Sequence, residues 1–251
     1  MFHEWNLILD KTASEIVESV ITNAGVTIIT GQTVQRILGR KDDPTAVGGV
    51  VMTDNNEIPC DMVIVAIGVI PRTELVKDTP LRINRGIIVD RFMRTSIPDV
   101  FACGDVAEAY DFLIEKSRLL PLWPLAYLGG RAAGFNMTGK NVEYEGGTIM
   151  SSLKYFELPI IAVGNINPEN MNDYEEMIDL KPEKTIYKKI LLKNNIIVGF
   201  IFLRGIEKAG ILFRLLKNHV DVSEIKDSLL SEDFGIVSLP QSVRQEMFVV
   251  N

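Results

Sequence analysis

Residues 62–70 read Met-Val-Ile-Val-Ala-Ile-Gly-Val-Ile, with no charged or hydrogen-bonding side chain between Asp61 and Pro71. A β-branched run without polar alternation does not suit a half-exposed strand. It predicts a central parallel strand over residues 61–70, buried on both faces within a covered α/β sheet. Pro71 ends it, since proline has no N–H to give to a ladder. Residues 196–203 form a second apolar run, also read as a buried strand. Neither reaches the roughly 18 residues needed to cross a bilayer.

The segments around the first run supply a partial doubly wound pattern. Residues 7–9 read as the end of a strand. A helix over residues 12–23 follows, with Ile16, Val17, Val20 and Ile21 as its stripe and Gly25 free to take a left-handed cap. Residues 26–30 read as a short buried strand. Residues 34–38 and 47–53 predict antiparallel strands around a polar turn, and Asn55-Asn56 marks a tighter turn. Residues 86–90 and 100–102 read as further short strands. Residues 121–137 read as a helix carrying Gly129, Gly130, Ala132, Ala133 and Gly134, at a cost of up to about 1 kcal/mol for each glycine. Such small residues favour close approach of another backbone or a flat ligand.

Beyond Glu145-Gly146-Gly147 the pattern becomes antiparallel. Residues 185–192 and 196–203 flank Lys193-Asn194-Asn195, a hairpin signal because asparagine tolerates positive φ. Helices are predicted over residues 206–218, 222–230 and 239–247. Tyr155, Phe156, Leu158, Ile160 and Ile161 are either core strand residues or an assembly surface.

Composition narrows the function classes. The 251 residues carry a net charge of −7, which disfavours nucleic acid, since phosphate neutralisation needs clustered Lys and Arg. Lys188-Lys189, residues 214–217 and the acidic stretch 169–179 read as solvated faces. Two cysteines, Cys60 and Cys103, and two histidines give no disulfide framework and no transition-metal centre. Both thiols are expected to be buried and inert. The N-terminus lacks a basic region followed by an apolar stretch, and the cytoplasm is the expected setting.

The chemistry concentrates in residues 95–107, Thr-Ser-Ile-Pro-Asp-Val-Phe-Ala-Cys-Gly-Asp-Val-Ala. A strand delivers Cys103, then Gly104, then the Asp105 carboxylate at its C-terminal end, where open α/β sheets bind ligands. Gly104 removes a Cβ from a ligand's path. Asp105 can accept hydrogen bonds from sugar-like hydroxyls. A Gly-Asp turn alone is an ordinary loop.

Together with residues 63–75 (Val-Ile-Val-Ala-Ile-Gly-Val-Ile-Pro-Arg-Thr-Glu-Leu) and with Ala126, Gly129-Gly130-Arg131, Ala133, Asn136-Met137 and Gly139, the segment resembles the FAD-dependent pyridine nucleotide-disulfide oxidoreductase superfamily. The resembling motifs are an ATG-type strand with Ile67 for its frequent Thr, the second FAD signature, and the helix beneath the flavin ring. The resemblance implies FAD and NAD(P)H as cofactors. It places Gly68 at the exit of the NAD strand, Gly104 beside the ribityl and pyrophosphate, and Asp105 on the ribityl chain. The start of the helix, near Trp123 and Ala126, falls at the pyrimidine edge. Trp123 is equally readable as a core or interface aromatic.

The resemblance further implies three parts: residues 1–67 as the remainder of an NAD(P)-binding domain, residues 68–147 as the second half of an FAD domain, and residues 148–251 as an α+β interface domain with an antiparallel sheet and a homodimer contact. The family's two Gly-x-Gly-x-x-Gly turns, each cradling a pyrophosphate at a helix N-terminus, are not among these residues. The expectation is therefore a C-terminal part whose first half comes from elsewhere in a longer chain or from a partner subunit, binding FAD weakly or not at all by itself. The alternative is a non-catalytic dimerisation or partner-docking module. Oxygen, rubredoxin, a disulfide and nitrite-linked centres stay open as acceptors, as does NADH against NADPH.

Overall fold

A computed structural model describes residues 8–248. The predicted strand end at residues 7–9 falls partly outside them, and Leu9 is an irregular, buried residue. Helix α1 (Lys11–Asn23) begins where Asp10, in extended conformation, accepts a 2.9 Å hydrogen bond from the Ala13 amide. That capping satisfies one of the first-turn donors the helix cannot pair itself. Its buried stripe is Ala13, Val17 and Ile21, at spacings of four. The helix stops at Gly25, whose φ of +87° only glycine takes without strain.

Strands β1 (Val34–Gly39), β2 (Val47–Met52) and β3 (Glu57–Pro59) make an antiparallel meander, with Asn55 at φ +67° in its second turn. The expected strand at residues 26–30 does not form; Val26 and Ile29 are exposed. Nor does the central strand expected at residues 61–70, which is irregular and open to solvent. The physical reason is common to both: no strand among the described residues lies alongside to pair with them.

β4 (Ile87–Ile88) runs parallel to β5 (Ala107–Asp111), and β6 (Lys116–Leu119) pairs antiparallel with β5. The β4–β5 pairing is the parallel pairing present among the named strands. Residues 100–102 make a single bridge, Phe101 with Arg94, where a strand was expected. Helix α2 (Trp123–Met137) packs Ala132 and Ala133 against Ile87, Val89, Met93 and Ala107.

The C-terminal part is a five-stranded antiparallel sheet in the order β7-β8-β11-β10-β9, from β7 (Met150–Tyr155), β8 (Leu158–Gly164), β9 (Glu175–Lys181), β10 (Ile186–Lys193) and β11 (Ile196–Leu203). Asn194 and Asn195 turn the predicted hairpin at φ +50° and +61°. Both faces of the sheet are covered. Phe200, Phe202, Ile190 and Leu192 pack under helix α3 (Ala209–Lys217) together with Phe112, and on the opposite face Ile160, Ile201 and Leu203 pack under α1. Leu158 and Ile160 are thus core residues, and Phe156 is exposed. A last helix, α4, spans Gln241–Phe248.

The helix expected at residues 222–230 is replaced by successive turns. The amides of Ile225, Ser228 and Leu229 bond three residues back, and Val222 pairs with Asn195 instead. Two further expectations need correction. Lys189 is buried between carboxylates rather than solvated, and Cys60 and Cys103 are free, half-buried thiols.

Candidate functional site

Close packing of small residues builds the site. Cys103 is extended, and Gly104 turns the chain at φ +77° into a single 3-10 turn, Gly104–Val106, that leads into β5. The face of α2 opposite this turn carries Ala126, Gly129 and Gly130, at the i, i+3 and i+4 positions that share one helix side. A Cβ added to Gly104 would stand 3.9 Å from the Ala126 Cβ. One added to Gly129 would meet the Cys103 Cβ at 3.6 Å and the Met93 Cε at 3.1 Å, and one on Gly130 would lie 3.8 Å from the Cys103 Sγ. The glycines thus let the helix sit against the turn. That is one of the two benefits the sequence suggested, and it leaves the solvent side of Gly104 free.

Gly104, Asp105 and Ala126 come together here. Asp105 is exposed and accepts no hydrogen bond from the described residues. Trp123, at the start of α2, is 86% exposed, and Tyr127, one turn on, lies open with it. The first turn of α2 has few free donors. The Leu125 and Ala126 amides both turn back to the Leu122 carbonyl, at 2.9 and 3.0 Å, and Pro124 has none. The Trp123 amide is what remains to meet a ligand. Gly68 lies apart, at φ +93° with nothing within 4 Å of its open side, inside the exposed run 62–70.

Three supports were not visible in the sequence. Met93, buried at φ +61°, fills the space beneath Gly129, and its carbonyl accepts from the Ala102 amide at 3.2 Å. Glu108, buried three residues after Asp105, accepts from the Arg85 and Gly86 amides at 2.7 and 2.8 Å and so fixes the entry to β4 beside β5. Tyr144 closes the rear of the same cluster. Burial, and then the Asp111 charge, push its phenol up to about 12, so it stays a neutral core group. A Glu three positions after an exposed Asp on a short strand was the single available clue.

Among the described residues no group of His, Cys, Asp and Glu could hold a metal, and no helix is long and apolar enough to cross a membrane. The groups present fit one side of an FAD: a glycine-lined turn, a free carboxylate and a helix start.

The model of the family described as pyridine nucleotide-disulphide oxidoreductase matches residues 4–130, and that of the rubredoxin NAD+ reductase C-terminal domain matches residues 150–220. Nitrite reductase [NAD(P)H] from Bacillus subtilis is 30% identical over 86% of this chain and 26% of its own length. NADH oxidase from Enterococcus faecalis is 32% identical over 63% of this chain and 35% of its own. The NAD-dependent persulfide reductase from A. fulgidus superposes with a TM-score of 0.77 at 23% identity, over 88% of this chain and 43% of that one, a likeness of fold. The chain spans about a quarter to a third of the two curated relatives it matches.

Proposed function

The chain belongs to the pyridine nucleotide-disulphide oxidoreductase family, and from that premise we propose that it is the C-terminal part of an FAD-dependent NAD(P)H oxidoreductase. The whole enzyme would pass hydride from NAD(P)H to flavin and electrons on to an acceptor. One observation carries the reading: the free Asp105 carboxylate beside a left-handed Gly104, packed on the small-residue face at the start of α2.

When bound, FAD would supply the hydride-accepting ring; the chain's residues would hold and bias it. Asp105 would accept hydrogen bonds from ribityl hydroxyls, and Gly104 would let the backbone lie against the same chain. The Trp123 amide and the positive end of α2 would face the pyrimidine edge, where partial positive charge favours the anionic, reduced ring. Gly68 would sit where the nucleotide domain hands over to the flavin domain. These groups make one side of a clamp, so the 251 residues alone are expected to bind FAD only weakly.

Amide NMR shifts on titrating FAD into the purified chain test the site even at weak affinity. Shifts confined to residues 103–106 and 123–127 are expected. Shifts confined to other regions, or no shifts at saturating FAD, contradict the assignment.

A second reading, an assembly module, is favoured by the exposed apolar run 62–70. In it residues 148–251 make a homodimer or dock a partner that also covers that run. Mass measurement in solution addresses it: a strictly monomeric chain removes the homodimer.

A further inference from the structure

A buried charge cluster away from the candidate site joins the two matched regions of the chain. Asp10, at the head of α1, is 8% exposed, and Lys189, in β10, is 6% exposed. The Asp10 carboxylate caps α1 through one oxygen, and its other oxygen accepts from the Tyr187 hydroxyl at 2.5 Å and lies 3.3 Å from the Lys189 ammonium. The same ammonium lies 2.6 Å from Glu176 on the neighbouring strand β9. One residue earlier, the Leu9 carbonyl accepts from the Asn167 side chain at 3.0 Å. Below these polar contacts, Ala13, Val17 and Ile21 lie on Leu158, Ile160, Ala162 and Ile201. Burial, then the Asp10 carboxylate, hold the Tyr187 phenol above its ordinary value, so it remains a donor.

A buried lysine is tolerated when carboxylates meet it, and removing one partner leaves an uncompensated charge, which is strongly destabilising. Charge satisfaction here depends on α1 being docked: lift the helix and Lys189 loses Asp10, while Tyr187 loses its acceptor. We propose that Asp10, Tyr187, Lys189 and Glu176 form a latch that fastens α1 to the C-terminal sheet. α1 and the sheet then open as one cooperative unit, and the segment leading to β1 keeps a fixed bearing on the C-terminal part. The apolar contacts hold the helix near the face, and the latch fixes its position and register. The inference is independent of the flavin reading, since none of the four residues touches the Gly104 turn.

Native-state hydrogen exchange of the full chain tests it. In the unsubstituted protein, amides of Lys11–Asn23 and of Ile186–Lys193 are expected to exchange through the same opening. Lys189→Met should speed exchange of α1 by about 100-fold, because it strands Asp10, with a much smaller change in β10 and β11. If Lys189→Met does not fold, Tyr187→Phe decides: it keeps the packing and removes one hydrogen bond, and should speed α1 alone by about tenfold. The latch is overturned if α1 already exchanges far faster than β10 without substitution. It is equally overturned if the folded variants leave α1 unchanged, or if α1 and the sheet accelerate equally, which would make the network a contributor to global stability only.

Discussion

Ile197, Phe200, Ile201 and Leu203 of β11 have no solvent exposure, whereas Ile64, Ile67 and Ile70, in a run just as apolar, are 81%, 75% and 89% exposed. The difference lies in the neighbours. β11 is paired on one side by β8 and on the other by β10, with α1 over one face and α3 over the opposite one. Residues 62–70 have no paired strand among the described residues. Composition determines what a segment gains by burial, roughly 1.5–3 kcal/mol for a large aliphatic side chain. Whether it collects that gain depends on surfaces that arrive from elsewhere in the fold. Contiguous apolar stretches left exposed are uncommon on monomeric surfaces and are often places that another surface covers. In the proposed enzyme, strands of the dinucleotide-binding domains would cover it.

Substitutions in the two runs should differ most. Phe200→Ala is expected to cost about 3–5 kcal/mol, the usual penalty for emptying a close-packed aromatic site, read from urea unfolding. Ile64→Ala should stay within about 0.5 kcal/mol, as for other exposed positions. Equal losses would mean that the run is packed in solution and would break the comparison.

Replacing Ile64, Ile67 and Ile70 together by Lys should abolish most hydrophobic-dye binding and concentration-dependent association while leaving the unfolding midpoint in place. A collapse in stability instead would show that the run is part of a core.

How far the sequence foretold this division depends on how local each signal was. The helix after Asp10, the meander around Asn55 and the Asn194-Asn195 hairpin were readable because periodicity and turn chemistry fix them within a few residues, although the cap that Asp10 supplies was not foreseen. The α2 helix was readable from its length, and its glycine stripe foretold a close approach. The irregular state of residues 26–30 and 61–70 was not legible, because a strand's existence depends on partners that pattern alone does not supply. Lys189 was misread as solvated for a related reason: its carboxylate Asp10 lies far away in the chain, and no local pattern shows that the two meet. Of the site, Gly104, Asp105 and Ala126 were legible as a motif. Met93 and Glu108 were not, since their role is to hold a turn rather than to form one.

A smaller effect sharpens the contrast at the candidate site. Gly104→Ala should cost about 1 kcal/mol, because an L-residue pays roughly that much at a φ of +77°. It should also remove the FAD-induced amide shifts at residues 103–106. Gly134→Ala, on α2 with open space around it, should be neutral or slightly stabilising.

The smallest effect concerns pH. The hydrogen bond from Lys217, then its charge, hold the Glu145 carboxyl below its ordinary value of 4.5. A depressed folded value contributes stability that is present above about pH 4.5 and is lost as pH falls through the lowered value. Glu145 is mostly solvated, so the amount is only a few tenths of a kcal/mol, about that of an exposed ion pair. Lys217→Met should flatten the acid limb of the stability curve by that amount, and an unchanged limb would remove Glu145 from the account.

The most direct test is the flavin content of the purified 251-residue chain after incubation with excess FAD and gel filtration. If the Gly104–Asp105 turn is one side of a clamp, the protein should elute essentially colourless, with far less than one FAD per chain. A yellow protein holding close to one FAD per chain would contradict that claim and show that these residues make a complete site.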